Sequence, residues 1–256
     1  MNKKELINFL KNSKKTGQKI SCLTSYDYPS ARLLDEAGID LILVGDSLGM
    51  VVLGHPDTTQ VTLNDIQHHL KAVRRGATRS IIAADLPINT FNTVPTAVES
   101  SQVLHAAGAD MVKLEGALCP QIEAIVKEGI PVIAHLGMLC QQILIEKQYR
   151  IKGKTPEEAK RLLREAHEVQ EAGASAVLLE LVTPRVAQQI TQALEIPTIG
   201  IGSGIHCDGQ ILVWTDLLGL QPWFRPSFVK PKADLASSIQ KAVKEYINDV
   251  KTNHGE

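Results

Sequence analysis

The stretch Glu36-Ala-Gly-Ile-Asp-Leu-Ile-Leu-Val44 joins the end of a helix to a run of apolar residues. Two similar junctions, Ala106-Ala-Gly-Ala-Asp110 and Glu171-Ala-Gly-Ala-Ser175, precede further apolar runs. In each junction the glycine suits the left-handed conformation that closes a helix. A run without polar alternation is typical of a parallel strand that is buried on both faces. The three junctions therefore predict helices that lead into buried parallel strands.

Outward from these junctions, eight apolar runs of this kind follow one another along the chain. They are Ile20–Thr24, Asp40–Val44, Ser80–Ala84, Met111–Leu114, Pro131–Ala134, Ala176–Leu179, Pro197–Ile201 and Gln210–Trp214. Helical stretches alternate with them, and two of these begin at Thr62 and Thr155 in a capping-box pattern. Eight strand–helix units in 256 residues, with no break in composition, predict an α/β fold: one (β/α)8 TIM barrel that forms a single domain over residues 1–256.

The two ends of the chain carry separate expectations. Residues 1–18 predict a short helix that caps one end of the barrel, with an apolar face made of Leu6, Ile7, Phe9 and Leu10. Glu5 and Asn8 interrupt the apolar stretch, so it does not resemble the core of a signal peptide. At the other end we expect the polar tail 251–256 to fray.

Composition narrows the class of partner. The formal net charge of −1 argues against a nucleic-acid binder and against binding to an anionic membrane surface. No apolar run approaches the length of a membrane span. The cysteines stand far apart, which argues against a zinc site and a disulfide framework and fits reduced thiols in a cytoplasm; they are Cys22, Cys119, Cys140 and Cys207. A small molecule is the expected partner.

Ionisable residues stand at or just after the ends of five consecutive predicted strands. They are Asp46, Asp85, Lys113, Glu115, His135 and Glu180. Active sites of (β/α)8 barrels lie at the carboxyl ends of the strands. Because side chains alternate along a strand, Lys113 and Glu115 point to the same side of theirs and can both face the barrel axis.

Each of these residues taken alone has a structural explanation. An aspartate after a strand often caps the next helix, a single histidine is often a hydrogen-bonded core residue, and Glu180 could pair with a lysine. Four carboxylates against one lysine at the mouth of an apolar barrel would, however, repel one another unless a cation joined them. Oxygen ligands favour Mg²⁺ or Mn²⁺ over zinc.

Six segments of the chain resemble the ketopantoate hydroxymethyltransferase family, in the same order from about Thr24 to Lys230. They are Val44–His55, Ala84–Pro87, Met111–Gly116, Ala134–Gly137, Ile199–Gly204 and Cys207–Gln210. The resemblance implies a barrel of the phosphoenolpyruvate/pyruvate superfamily, assembled as a homo-oligomer that is often a decamer. It also implies a reaction: transfer of a hydroxymethyl group from 5,10-methylenetetrahydrofolate to 3-methyl-2-oxobutanoate, through a magnesium-stabilised enolate. The products would be 2-dehydropantoate, a precursor of pantothenate, and tetrahydrofolate.

The resemblance also implies roles for individual residues. Mg²⁺, or Mn²⁺ or another divalent ion in its place, would be bound by Asp46, Asp85 and Glu115. The residues that would contact the 2-oxo acid are Asp46, Ser47, Asp85, Lys113 and His135. Glu180 would be the catalytic proton acceptor.

The chain departs from the family pattern in three places. Met138-Leu-Cys-Gln-Gln142 stands where a Thr-Pro-Gln-like turn is usual, Glu146-Lys-Gln-Tyr149 lacks the usual Gly-Gly pair before the tyrosine, and Gln60 replaces a proline. The first two lie after the fifth strand, so they bear on loop closure and on the folate side. Two alternatives stay open at this point: a magnesium-dependent 2-oxo acid lyase of the same superfamily, and a barrel without catalysis that acts in assembly.

Overall fold

A computed structural model describes residues 3–252 and contains a closed barrel of eight parallel strands. Each strand pairs with the next one along the chain, in the order β1-β2-β3-β4-β5-β6-β7-β8. The strands are β1 Ile20–Thr24, β2 Leu41–Val44, β3 Ile81–Asp85, β4 Met111–Glu115, β5 Val132–Gly137, β6 Ala176–Glu180, β7 Thr198–Ile201 and β8 Gly209–Leu212. The predicted (β/α)8 fold is therefore confirmed.

Helices alternate with the strands. They are α1 Lys3–Thr16, α2 Tyr28–Glu36, α3 Leu48–Val51, α4 Leu63–Gly76, α5 Val94–Ala106, α6 Cys119–Lys127, a 3₁₀ helix at Cys140–Gln142, α7 Ile143–Glu146, α8 Pro156–Glu171, α9 Pro184–Ala193, α10 Trp214–Leu217 and α11 Leu235–Lys251. Within residues 3–252, none of these helices combines the length and the apolarity that crossing a lipid bilayer requires. The chain divides into two compact units, one up to Ile211 and one from Leu212 onward; the expectation of a single domain stays a prediction.

The ends of the helices follow the signals in the sequence. Gly38, Gly108 and Gly173 have φ values of +84°, +115° and +94°, so these glycines close their helices in the left-handed conformation as predicted. At the start of α4 both halves of the capping box form. At the start of α8 the Thr155 hydroxyl accepts a hydrogen bond from the Glu158 N–H, while the Glu158 carboxylate accepts from two N–H groups of the preceding loop.

The strand bounds differ from the predicted ones mainly at the carboxyl ends. β3, β4, β5 and β6 run on to Asp85, Glu115, Gly137 and Glu180, so several ionisable residues lie within the strands themselves. The eighth strand ends at Leu212, whereas the prediction extended it to Trp214. Trp214 instead begins α10, because a short apolar run fits a helix as well as a strand.

The interior of the barrel is filled from its amino end. The core cluster takes alternate residues of the strands, among them Ile20, Cys22, Leu41 and Leu43. Leu6 and Leu10 of α1 belong to the same cluster, with Ile7 and Phe9 packed against it, so the predicted capping helix is confirmed. Burial of a leucine side chain contributes about 1.5–3 kcal/mol. Helix α1 thus packs at the amino end, and the ionisable residues lie at the opposite, carboxyl end.

The C-terminal tail is helical at the first residue that we expected to be frayed. Lys251, which we expected to begin the frayed segment, is the last residue of α11. The N–H of Thr252 still donates to the carbonyl of Asn248, 2.9 Å away. Residues 253–256 lie outside the described part of the chain, as do residues 1 and 2 of the predicted N-terminal region.

Candidate active site

The register of the sheet brings the predicted ionisable residues together. Asp85 pairs with Lys113 across β3 and β4, Glu115 pairs with His135 across β4 and β5, and Glu180 pairs with Gly137 across β5 and β6. Met111 belongs to the barrel core, so Lys113 and Glu115, two and four residues on, share its inward side. This confirms the predicted common orientation of these two side chains.

One half of the cluster centres on the Lys113 ammonium group. It forms a buried ion pair with Oδ1 of Asp85. Oδ2 of Asp85 accepts a hydrogen bond from the N–H of Asp46 at 3.0 Å. Burial opposes the charge on Lys113, but the carboxylates of Asp85, Asp46 and Glu115 outweigh it and raise the lysine pKa above its usual value. Lys113 is therefore a fixed positive charge at the barrel mouth.

Asp46, just after β2, is the second buried carboxylate of this half. Only 5 % of the residue is exposed. Burial, together with the negative charge of Asp85, raises the pKa of Asp46 to about 7. A positive ligand would relieve this repulsion.

The other half of the cluster centres on His135. Its Nδ1 lies 3.5 Å from Oε1 of Glu115, and its Nε2 lies 3.4 Å from Oε2 of Glu180. Neither ring nitrogen has a hydrogen-bond partner. Burial, and then the charge of Lys113, lower the pKa of His135 well below its usual value, so the imidazole is neutral.

The two glutamates beside His135 both have raised pKa values. Burial, followed by repulsion from Asp46, raises the pKa of Glu115 well above its usual range. Burial raises the pKa of Glu180 to about 7. A carboxyl group with a pKa near neutrality can accept a proton and release it again at physiological pH, which is what a general base requires.

The loop after β5 contributes two residues that the sequence analysis missed as site residues. Nε2 of Gln141 donates to Oδ2 of Asp46 at 2.8 Å and to the carbonyl of Leu86 at 3.0 Å. The thiol of Cys140 donates to Oε1 of Glu180 at 3.2 Å. The backbone N–H groups of both residues donate to the Glu115 carboxylate, each at 3.1 Å. The available signal was the pair Gln141-Gln142, four and five residues after the end of the strand that carries His135.

Ser47 lies beside the first half of the cluster. Its hydroxyl is 2.8 Å from the hydroxyl of Tyr26, a buried residue that the sequence analysis did not single out. A Cβ added at Gly45 would stand 3.0 Å from Oγ of Ser47 and 3.3 Å from Oδ2 of Asp85. Because Gly45 has no side chain, the side chains of Ser47 and Asp85 can lie close to its backbone.

The second departure from the family pattern lies in a segment anchored by ion pairs. The buried Lys152 ammonium contacts Oε1 of Glu146 at 2.6 Å, and Nε of Arg150 contacts the other oxygen at 3.0 Å. Lys152 also forms an isolated parallel bridge with Val182, two residues after Glu180. The loop after β5 therefore pairs with the segment that directly follows Glu180, the last residue of β6.

The side chains fit a hard divalent cation in their chemistry, although they do not form a ready-made site. Within residues 3–252, no three His, Cys, Asp or Glu side chains surround a common point as metal ligands would. Asp85 faces Lys113, and Glu115 faces two loop N–H groups. The donor set is nevertheless all oxygen. The pKa of Asp46 is raised first by burial and then by repulsion from Asp85, and a cation would relieve that repulsion. The assignment of Mg²⁺ to Asp46, Asp85 and Glu115 stays a prediction.

Comparison with solved structures agrees with the fold. Phosphonopyruvate hydrolase, solved in complex with oxalate and Mg²⁺, matches with a TM-score of 0.66 and 15 % identity, covering 100 % of this chain and 89 % of that one. A 2,3-dimethylmalate lyase of the PEP mutase/isocitrate lyase superfamily matches with a TM-score of 0.61 and 16 % identity, covering 97 % of this chain and 88 % of that one. At these identities the likeness shows the fold alone.

Curated relatives are far more similar in sequence. Three of them, each named 3-methyl-2-oxobutanoate hydroxymethyltransferase, illustrate this similarity. The protein of Hyperthermus butylicus is 50 % identical over 93 % of this chain and 84 % of its own length. The protein of Enterococcus faecalis is 47 % identical over 94 % of this chain and 89 % of its own length. The protein of Ignicoccus hospitalis is 46 % identical over 98 % of this chain and 96 % of its own length. The family model described as ketopantoate hydroxymethyltransferase matches residues 4–254. The chain therefore belongs to the ketopantoate hydroxymethyltransferase family of transferase enzymes.

Proposed function

We propose that this enzyme transfers a hydroxymethyl group from 5,10-methylenetetrahydrofolate to 3-methyl-2-oxobutanoate, with uptake of water, giving 2-dehydropantoate and tetrahydrofolate as in pantothenate biosynthesis. The names of the relatives support the acceptor and the group transferred. One observation supports the proposed chemistry: a positive charge and a group that can act as a base both lie at the carboxyl end of the barrel. Lys113 is charged, and Glu180 has a pKa of about 7.

In the first step of the proposed reaction, Lys113 binds the carboxylate or keto oxygen of the 2-oxo acid by charge-assisted hydrogen bonds. Glu180 then accepts the proton from C3, and the electron pair of that C–H bond forms the C2=C3 double bond of an enolate. Lys113 stabilises the negative charge that develops on the keto oxygen. A divalent cation held by Asp46, Asp85 and Glu115 would supply a Lewis acid for the same keto group.

The remaining residues orient these groups. Gln141 fixes the Asp46 carboxylate through its hydrogen bond, and the Cys140 thiol fixes one oxygen of Glu180. His135 stands against the other oxygen of Glu180 as a neutral imidazole, beside the proposed position of the 2-oxo acid. Water adds to the methylene carbon of the folate and both of its C–N bonds break, which releases tetrahydrofolate and leaves the one-carbon unit as formaldehyde. C3 of the enolate attacks this carbon and forms the new C–C bond, the electron pair of the C=O bond moves to oxygen, and that oxygen takes the proton held by Glu180 to give the hydroxymethyl group.

The proton-abstraction step can be tested without folate. In D₂O with Mg²⁺, we expect the protein to exchange the C3 proton of 3-methyl-2-oxobutanoate for deuterium, because the base and the charge-stabilising groups act before the one-carbon transfer. The measurement is the loss of the C3 proton signal by ¹H NMR. A chelator such as EDTA should stop the exchange, and added Mg²⁺ should restore it. Wild-type protein that shows no exchange with Mg²⁺ present would refute the proposed mechanism.

We also propose that the enzyme acts as a homo-oligomer in the cytoplasm. The free state of all four cysteines is compatible with a reducing compartment. Apolar side chains of α11 recur on one helical face and are 43–69 % exposed, a pattern that favours burial by a second copy of the chain. They are Ile239, Val243, Tyr246, Ile247 and Val250.

Val243→Lys should therefore weaken the assembly. A charge in the centre of this face would have to be desolvated on association, so we expect a smaller species at micromolar concentration. Size-exclusion chromatography with light scattering measures the mass. Lys241→Ala, on the opposite face of α11, is the matched control and should leave the mass unchanged. A monomeric wild type, or an unchanged mass in Val243→Lys, would contradict this role for α11.

A further inference from the structure

A cavity of about 430 Å³ lies beside the catalytic cluster. Its walls come from the loops that follow β3, β4 and β5, and Glu115 and Gln141 line it as well as the cluster. Its volume falls in the range typical of small-molecule sites. A molecule bound in this cavity would therefore have one end next to the groups that surround the proposed 2-oxo acid.

The lining has two kinds of surface. Ile88, Phe91 and Leu118 provide apolar walls. Carboxamide groups provide the polar part, and they belong to Asn89, Asn92, Gln121, Gln141 and Gln142. Among the described lining residues the one charged group is the Glu115 carboxylate, with no lysine or arginine. This lining is suited to a neutral flat ring and unsuited to a phosphate or carboxylate group.

Carboxamides recognise a specific feature of flat heterocycles. Each carries a donor and an acceptor side by side, so it can pair with a ring edge on which a donor and an acceptor are adjacent, as Asn and Gln do with adenine. A 2-amino-4-oxopteridine has such an edge, because its ring N–H donor stands next to its carbonyl acceptor, and the amino group beside the N–H is a second donor. Its two fused rings are small enough for the cavity and present apolar faces to the walls.

One of the carboxamides has an unmet hydrogen-bond requirement. Gln141 is 4 % exposed, and its Nε2 donates to both Asp46 and the carbonyl of Leu86, which fixes the orientation of the amide. Its Oε1 is buried and has no hydrogen-bond partner. An unsatisfied buried acceptor is unfavourable, so this oxygen is suited to receive a donor from a ligand after a small shift of the side chain.

Hydrogen bonds also order the lining. Asn89 has a φ of +70°, in the left-handed region that asparagine adopts more readily than most non-glycine residues. Nδ2 of Asn92 donates to Oδ1 of Asn89 at 3.4 Å. Nε2 of Gln121, from α6, donates to the carbonyl of Phe91 at 3.3 Å and so fixes the wall formed after β3. Asn89, Asn92 and Gln121 are thus held by hydrogen bonds within the lining.

We propose that this cavity binds the pterin ring of the one-carbon donor, with the ring between the apolar walls and its donor–acceptor edge on the carboxamides. The inference rests on the proposed function, since that reaction needs a folate, and it adds the position of the ring. It assigns the loops after β3 and β4 to folate recognition, in addition to the loop after β5. It also makes Glu115 and Gln141 the boundary between the two substrates.

Direct binding tests the assignment without turnover. The probe is 6-methyltetrahydropterin, which has the ring without the aminobenzoylglutamate tail, titrated into the full-length protein with Mg²⁺ by isothermal calorimetry. We expect Asn92→Ala and Gln142→Ala, both at exposed positions and so compatible with folding, each to raise the Kd about tenfold. Gln102→Ala, an exposed glutamine of α5 outside the cavity, is the matched control and should bind as the wild type does.

Three outcomes would overturn the assignment. Two of them are wild-type protein that does not bind the probe and cavity variants that bind it as tightly as the wild type. The third is cavity variants that lose more affinity for p-aminobenzoylglutamate than for the pterin probe, because the cavity would then hold the tail. Wild-type proton exchange at C3, measured in parallel without folate, separates the two failures. Exchange without pterin binding refutes the cavity assignment, whereas pterin binding without exchange counts against the proposed reaction.

Discussion

Glu180→Gln is expected to slow the exchange of the C3 proton of 3-methyl-2-oxobutanoate by about 10²–10⁴-fold, the usual contribution of a general base. Glutamine has nearly the shape of glutamate and can still accept the hydrogen bond of the Cys140 thiol, but its amide cannot take up a proton at neutral pH. The apparent affinity for the 2-oxo acid should change little, since Lys113 and Asp85 remain. Exchange rates by ¹H NMR at several substrate concentrations give both quantities.

The pH profile of the wild type provides an independent measure of the same role. Burial raises the pKa of Glu180 to about 7, and only the deprotonated carboxylate can act as the base. The exchange rate should therefore be low at pH 5, rise through about pH 7 and level off above it. The thiol of Cys140 lowers the pKa of Glu180 by its hydrogen bond, so Cys140→Ala should shift the midpoint to higher pH. An exchange rate in Glu180→Gln within a few-fold of the wild type would assign the base to another residue.

Much of the barrel could be predicted because its determinants are local. The Ala-Gly junctions and apolar runs each report on a few adjacent residues, and their repetition predicts the closed sheet. The end of the eighth strand could not be predicted in the same way. Residues 210–214 are apolar enough for a strand, and nothing within this short run distinguishes the end of β8 at Leu212 from the start of α10 at Trp214.

The site shows the same division between local and tertiary information. Strand periodicity and chain order bring Lys113, Glu115 and Glu180 to one mouth, because neighbouring parallel strands end at the same edge. The sequence carries no comparable rule for the loop after β5. Cys140 and Gln141 reach Glu180 and Asp46 only through the fold of that loop, 40 and 95 residues away along the chain. Such contacts depend on tertiary structure and leave no periodic pattern in the sequence.

Lys113→Met should affect stability and proton exchange together, and a second variant separates the two effects. Methionine matches the length of lysine but leaves the buried Asp85 carboxylate without its cation. Breaking a buried ion pair by removal of one partner costs about 3–5 kcal/mol, so urea unfolding at pH 7 should show a loss of that size.

The double variant Lys113→Met, Asp85→Asn removes both charges of the pair and should recover much of the free energy of unfolding, since a missing pair is tolerated better than a broken one. Its exchange rate should stay at least about 10²-fold below that of the wild type, because the positive charge that stabilises the enolate is still absent. Recovery of stability without recovery of exchange would show that the loss of exchange is not a folding defect. The single variant Asp85→Asn, which keeps the lysine, then separates the loss of the Lys113 charge from the loss of a metal ligand. If exchange returned with stability, the lysine would act only as the structural partner of Asp85, and the charge at the barrel mouth would have to come from the divalent cation.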